Sequence, residues 1–83
     1  MRKSGSWMSV WDDRILELLE DSETGCLPPV RIHANEFIQV SKPQVVRRLQ
    51  RMEDFGLVDG ENGYYKITER GKEYLSGDVD VSE

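Results

Sequence analysis

Residues 40–58 read V-S-K-P-Q-V-V-R-R-L-Q-R-M-E-D-F-G-L-V. Ser41 with Gln44 three residues on is the pattern of a capping box, Pro43 suits a first turn, and Gly56 is placed to supply a left-handed stop. This predicts a helix over Lys42 to Phe55. At about 100° per residue, Val45, Leu49 and Met52 fall within about 60° of one another and should face a core. Gln44, Arg47 and Arg51 fall together on the opposite side. From Ser41 to Met52 there are four bases, Lys42, Arg47, Arg48 and Arg51, and no acid. A solvated helix face ordinarily mixes its charges, so this run marks a surface made for something anionic.

Downstream, Leu57 and Val58 lead through D-G-E-N-G into Tyr64, Tyr65, Lys66 and Ile67, a hairpin closed by a Gly- and Asn-rich turn. Thr68 then caps a final helix, E-R-G-K-E-Y-L, that stops at Gly77. Upstream, Ser9 and Asp12 form another capping box, after which Trp11, Ile15, Leu18 and Leu19 make one apolar stripe on a helix running to about Asp21. T-G-C-L-P-P is loop chemistry, and Pro29 starts a short second helix through Val30, Ile32 and Phe37. The predicted order is helix, helix, helix, hairpin, helix: mainly α with a small β-hairpin, an α+β class.

The 83 residues, 37% apolar and 33% charged, support one small domain and exclude a two-domain enzyme. Sixteen acids against eleven bases give a net charge of -5 and a pI near 4.8, so the bulk basicity of many nucleic-acid binders is absent. The sum conceals a segregation. Asp12 to Glu23 holds six acids and one base, Arg14, in contrast to the acid-free run of the third helix. No apolar run approaches the roughly 20 residues of a membrane span, so no membrane partner is expected. M-R-K-S-G-S-W-M lacks the apolar core of a secretory signal, and Cys26, the one cysteine, cannot form an internal disulfide, which points to a reduced cytoplasm. Three parts are expected: an N-terminal arm over 1–8, a domain over 9–77, and an acidic tail over 78–83 that frays.

A three-helix unit followed by a hairpin resembles the winged helix-turn-helix, through residues 40–58 and through G-Y-Y-K-I-T-E-R-G-K-E-Y-L. These stretches are similar to the small winged-helix repressors of halophilic archaea, the phage phi-H repressor type, and more distantly to MarR- and ArsR-type regulators. Trp7 with Trp11 to Glu17 is similar to that family's opening, and I-T-x-x-G-x-x-Y-L, Ile67 to Leu75, to the ending of winged helices. The resemblance covers about residues 9 to 77. It implies transcriptional regulation by occupying an operator in double-stranded DNA, as a repressor, with the third helix in the major groove and the hairpin as a wing. One departure stands out: the wing tip is Gly60, Glu61, Asn62 and Gly63, where wings that grip DNA carry Arg or Lys.

The residues themselves support that chemistry. Arg can take both O6 and N7 of guanine, and Gln both N6 and N7 of adenine, so Arg47, Arg51 and Gln44 are candidate base readers. Gln44 has two readings, since the fourth residue of S-x-x-Q can instead bond back to the backbone of Ser41. Ser41 and Lys42 lie at a helix N-terminus, where free N–H groups favour phosphate. Arg48 projects beside the core stripe, where it reaches a phosphate or, in the favoured reading, pairs with a carboxylate of the first helix. Asn62 and Lys66 of the wing complete the candidate DNA-binding set. The net acidity has two accounts: acids on a far face, or work in high salt, where the Debye length falls to about 3 Å and acidic surfaces keep a protein dissolved.

Other chemistries are weakly supported. His33 and Cys26 fall short of the four ligands of a structural zinc, and no resolving cysteine or neighbouring cation marks Cys26 as a redox sensor; it reads as buried loop filler. Asp12, Asp13 and Glu17 read as a solvated face of the first helix. No phosphate loop, nucleophile elbow or metal constellation is present, so neither an enzyme, a cofactor nor a small-molecule substrate is expected. The rival class is a winged-helix protein-interaction module whose cationic face docks an acidic partner. An RNA module would want stacking aromatics, and only Tyr64 and Tyr65 are candidates, one of them turned to the core by alternation. Trp7, Met8 and Leu16 lie off the first helix's stripe, and Tyr74 and Leu75 end the last helix. Such apolar residues point to a homodimer interface, the alternative being an N-terminal arm packed on its own core.

Overall fold

The computed structural model describes residues 7–77, so the acidic tail and the first six residues lie outside the described part. The elements are α1 (Val10–Asp21), α2 (Pro29–His33), α3 (Lys42–Asp54), β1 (Val58–Glu61), β2 (Tyr64–Ile67) and α4 (Glu69–Ser76). This is the winged helix: three helices, a two-stranded antiparallel hairpin with Val58 opposite Ile67, and a closing helix.

The first capping box forms as the sequence requires. Ser9 Oγ accepts from the Trp11 N–H, and Asp12 Oδ2 accepts from the Ser9 N–H at 2.8 Å. The buried face of α1 is Asp12, Ile15, Leu16 and Leu19, whereas Trp11 and Leu18 are only half-buried. The expected stripe is thus rotated, because α1 packs against α3, β2 and α4 together and needs a wide face. Trp11 stays at the edge, with the Arg14 guanidinium 5.7 Å from its ring centre. Two expectations are corrected here. Leu16 is fully buried rather than an interface residue, and Asp12 is 1% exposed rather than part of a solvated face.

The second helix is shorter than expected. It ends at His33, and the Asn35 side chain accepts from the Phe37 N–H at 2.9 Å, a local turn that competes with helix. Phe37 consequently points outward, 62% exposed, and Ile38 enters the core in its place.

Val45, Leu49 and Met52 of α3 are fully buried, as their spacing dictates. The helix ends in a Schellman motif: Gly56, at φ 77°, donates to the Glu53 carbonyl and Leu57 donates to that of Met52 at 2.9 Å. The hairpin turn is Asn62–Gly63 with φ of 54° and 82°, the signature of a type I′ turn. Leu27 bridges to Tyr65 through two backbone hydrogen bonds and extends the sheet by one position. Tyr65 packs on the core while Tyr64 is exposed.

Helix α4 is capped by Thr68 and Gly77, the latter at φ 87°. Its Gly71 lies so close to the sheet that a Cβ would fall on the Leu57 carbonyl oxygen and within 2.6 Å of Ile67 Cγ1. Tyr74 is fully buried, and its hydroxyl donates to Asp13 Oδ1 at 2.6 Å. Tyr74 is therefore core rather than interface, Leu75 is half-buried against that core, and Asp13 is a partner of α4 rather than a solvated acid. Trp7 and Met8, expected at a homodimer interface or, alternatively, in an arm packed on its own core, pack partly on the core; the Trp7 ring stacks on Phe55 with centroids 4.5 Å apart.

Candidate nucleic-acid interface

The outer face of α3 is where the cations gather. Lys42, Arg47, Gln50 and Arg51 are exposed, and the first acid of the helix is Glu53, in its last turn. Ser41 caps the helix by accepting from the Gln44 N–H at 3.4 Å. No acid occupies the first turn, whereas α1 places Asp12 and Asp13 there. A helix N-terminus carries about half a positive charge, so Lys42 adds to a field that α1 neutralises and α3 leaves open to an anion.

The capping box expected at Ser41 is only half made, since the Gln44 side chain forms no bond back to Ser41. That leaves the amide with its base-reading capacity. Gln44 sits half-buried at the mouth of a cleft of about 160 Å³ lined also by Trp7, Asp12, Arg47, Arg48 and Arg51.

Arg48 is used otherwise. Its Nη1 donates to Asp12 Oδ2 at 3.1 Å, and its side chain is 22% exposed. Of the two readings the sequence left to Arg48, a phosphate contact or a carboxylate of α1, the structure shows the favoured carboxylate pairing, and the open face keeps Lys42, Arg47 and Arg51. Burial pushes the Asp12 carboxyl above its ordinary value, and the Ser9 hydrogen bond and the Arg48 charge offset only part of that. Trp7 Nε1, Asp12 Oδ1 and Arg48 Nε are buried without a hydrogen-bond partner among the described residues.

The wing is placed firmly and charged weakly. Glu53 Oε2 accepts from the Gly60 N–H at 2.8 Å, Thr68 Oγ1 donates to the Gly56 carbonyl, and Arg70 Nε donates to that of Phe55. Asn62 is exposed at the tip, but its left-handed φ shows that it serves the turn. Lys66 lies opposite Asp59 and lines a trough with Asp59 and Glu61, so its charge is set among acids.

Sequence reasoning missed Gln50 and Val46, which with Lys42, Pro43 and Arg47 line a shallow depression on the outside of α3. Their angular positions beside Arg47 were available from the helical period. The packing of Trp7 is the alternative that the sequence offered to an interface, an arm on its own core, but its partner Phe55, far away in the chain, was not foreseen. Among the described residues no group of three or more His, Cys, Asp or Glu is arranged to hold a metal, and no helix is long and apolar enough to cross a membrane. Cys26 is half-buried in its loop, where its carbonyl accepts from Thr24.

Comparison with known proteins agrees with this geometry. No curated protein matches the chain. The crystal structure of the PhiH1 repressor-like protein from Haloarcula marismortui is 44% identical, with a TM-score of 0.92 over 99% of this chain and 92% of that one. The family described as winged helix-turn-helix phage repressor matches residues 1–83. The chain belongs to the winged helix-turn-helix phage repressor family.

Proposed function

We propose that this protein is a transcriptional repressor that binds double-stranded DNA with α3 in the major groove and acts by occupying its operator rather than by chemistry. The observation that carries the reading is the outer face of α3, where Lys42, Arg47, Gln50 and Arg51 are exposed and no acid precedes Glu53. Arg47 and Arg51 are the base readers, joined by Gln44, whose amide is not engaged in capping. Ser41 and Lys42 hold a backbone phosphate at the helix N-terminus. Asn62 and Lys66 lie near the duplex on a wing that adds little affinity.

Similarity to a protein from Haloarcula marismortui fits work at high salt, where a chain of net charge -5 is not repelled from DNA at long range. A single recognition helix reads few base pairs, so two copies on an inverted repeat are proposed. Leu16 is buried in the core and does not make that pairing, and Trp7 and Met8 pack partly against the core; among the described residues Val10, Val30, Phe37 and Tyr64 are the large apolar side chains left exposed for it. Selection of bound fragments from random duplex DNA, at low and at molar salt, tests the reading. A shared motif recovered at either salt supports it, and recovery of no motif at both refutes it.

A further inference from the structure

The outward half of α3 carries two stripes of different chemistry. Gln44, Arg47 and Arg51 make one, and all three can donate hydrogen bonds. Beside it, Pro43, Val46 and Gln50 wall a depression of about 360 Å³, with Lys42 and Arg47 as its other lining residues. Pro43 and Val46 bring no polar side-chain atom to a face that is otherwise cationic. Val46 is not there for the core, since Val45, Leu49 and Met52 are fully buried and Val46, about 100° round the helix from Val45, is half-buried. A β-branched side chain also loses rotamer freedom in a helix, so a half-open flank would be better served by Lys or Gln. No acid lies in α3 before Glu53. The partner that covers the depression is therefore drawn by cations and yet presents an apolar group.

A DNA duplex offers one such group. In the major groove the bases present donors, acceptors and, from thymine alone, a C5-methyl. Gln50 stands one turn along from Val46, an i, i+4 spacing that sets the two Cβ atoms about 5–6 Å apart. Its exposed amide can take N6 and N7 of an adenine, which is the partner of thymine in a T·A pair. We propose that the depression is a subsite for one T·A pair of the operator, with the thymine methyl against Val46 and Pro43 and the adenine edge on the Gln50 amide. The assignment rests on the DNA-binding reading and adds to it a named base pair.

The test uses the full chain and a duplex recovered by selection, in which each thymine is exchanged in turn for uracil. That exchange removes the C5-methyl and keeps every hydrogen-bonding group of the pair. In the wild type, uracil at the subsite should weaken binding about three- to fivefold, as expected for one buried apolar carbon. Val46→Ala leaves the core triad in place and improves helix propensity, so it keeps the fold, and it should bind the thymine and uracil duplexes alike. Gln50→Ala should narrow the preference for T·A over C·G at the same position about tenfold. Uracil tolerated at every position overturns the subsite. A uracil penalty that persists unchanged in Val46→Ala overturns it equally, because the methyl then meets another residue, and an unchanged T·A preference in Gln50→Ala overturns the adenine contact. A chain that selects a motif yet is blind to the methyl loses the subsite alone, whereas a chain that ignores every duplex loses the DNA reading and the subsite together.

Discussion

The C-terminal end of α3 and its flank toward α1 are built on opposite principles. At its C-terminal end the Schellman motif, the Glu53–Gly60 bond, the Thr68 and Arg70 bonds to carbonyls and the close approach of Gly71 fix helix, wing and α4 as one body. Along its flank toward α1, between Trp7, Asp12 and Arg48, polar atoms are buried without partners among the described residues and a carboxyl is held against its preference to be solvated. Each unpartnered buried polar group costs about 1–3 kcal/mol, so the second corner is tolerated rather than selected for stability. Departures from local consistency gather at functional sites. The face that presents Arg47 and Arg51 is the face that carries the cost.

The contrast breaks most sharply at Asp12. Asp12→Ala removes the partner of Arg48 and the acceptor of the Ser9 N–H, and should cost about 3–5 kcal/mol in urea unfolding. A loss below about 1 kcal/mol would show that the pair is dispensable. On the other side, Gly71→Ala should cost about 1–3 kcal/mol or more through overpacking against Leu57 and Ile67, with the melting temperature as readout. A neutral result there would mean that α4 can slide on the sheet, contrary to the tight seam.

Much of this arrangement is legible in the sequence, and the division follows the range of the interactions. The α3 boundaries, its core triad, the Gly56 stop and the Asn62–Gly63 turn are set by residues within a few positions of one another. The cap at Ser9 is of the same kind. The orientation of α1 is not, because burial of Leu16 in place of Leu18 is decided by α3, β2 and α4 packing on it at once. Trp7 on Phe55, Asp12 on Arg48 and Asp13 on Tyr74 join residues 48, 36 and 61 positions apart, and no local period encodes them. Phe37 is a different kind of miss. The Asn35 turn that expels it is a local signal, outweighed in reading by the apolar residues around it.

A subtler difference between the corners is their response to pH. Asp12 titrates above its ordinary 3.8 in the folded chain, so it binds more proton folded than unfolded between 3.8 and that raised value. Its contribution is therefore fully present below 3.8 and is lost as pH rises through the folded value. Urea midpoints measured across this window should fall with pH more steeply in the wild type than in Asp12→Asn. Parallel profiles would mean that the carboxyl is solvated.

The smallest effect belongs to the wing tip. Glu61→Ala should leave DNA affinity unchanged or slightly tighter, because only a repulsion from phosphate is removed. A clear loss with the fold intact would assign the tip a contact.

The central claim, that the open cationic face of α3 reads a duplex, is tested most directly by DNA affinity in Arg47→Ala and Arg51→Ala, measured on a selected duplex and on a single-base variant of it. The account predicts a loss of about 1–3 kcal/mol for each and a narrowed gap between the two duplexes. Unchanged affinity in both folded variants would contradict it.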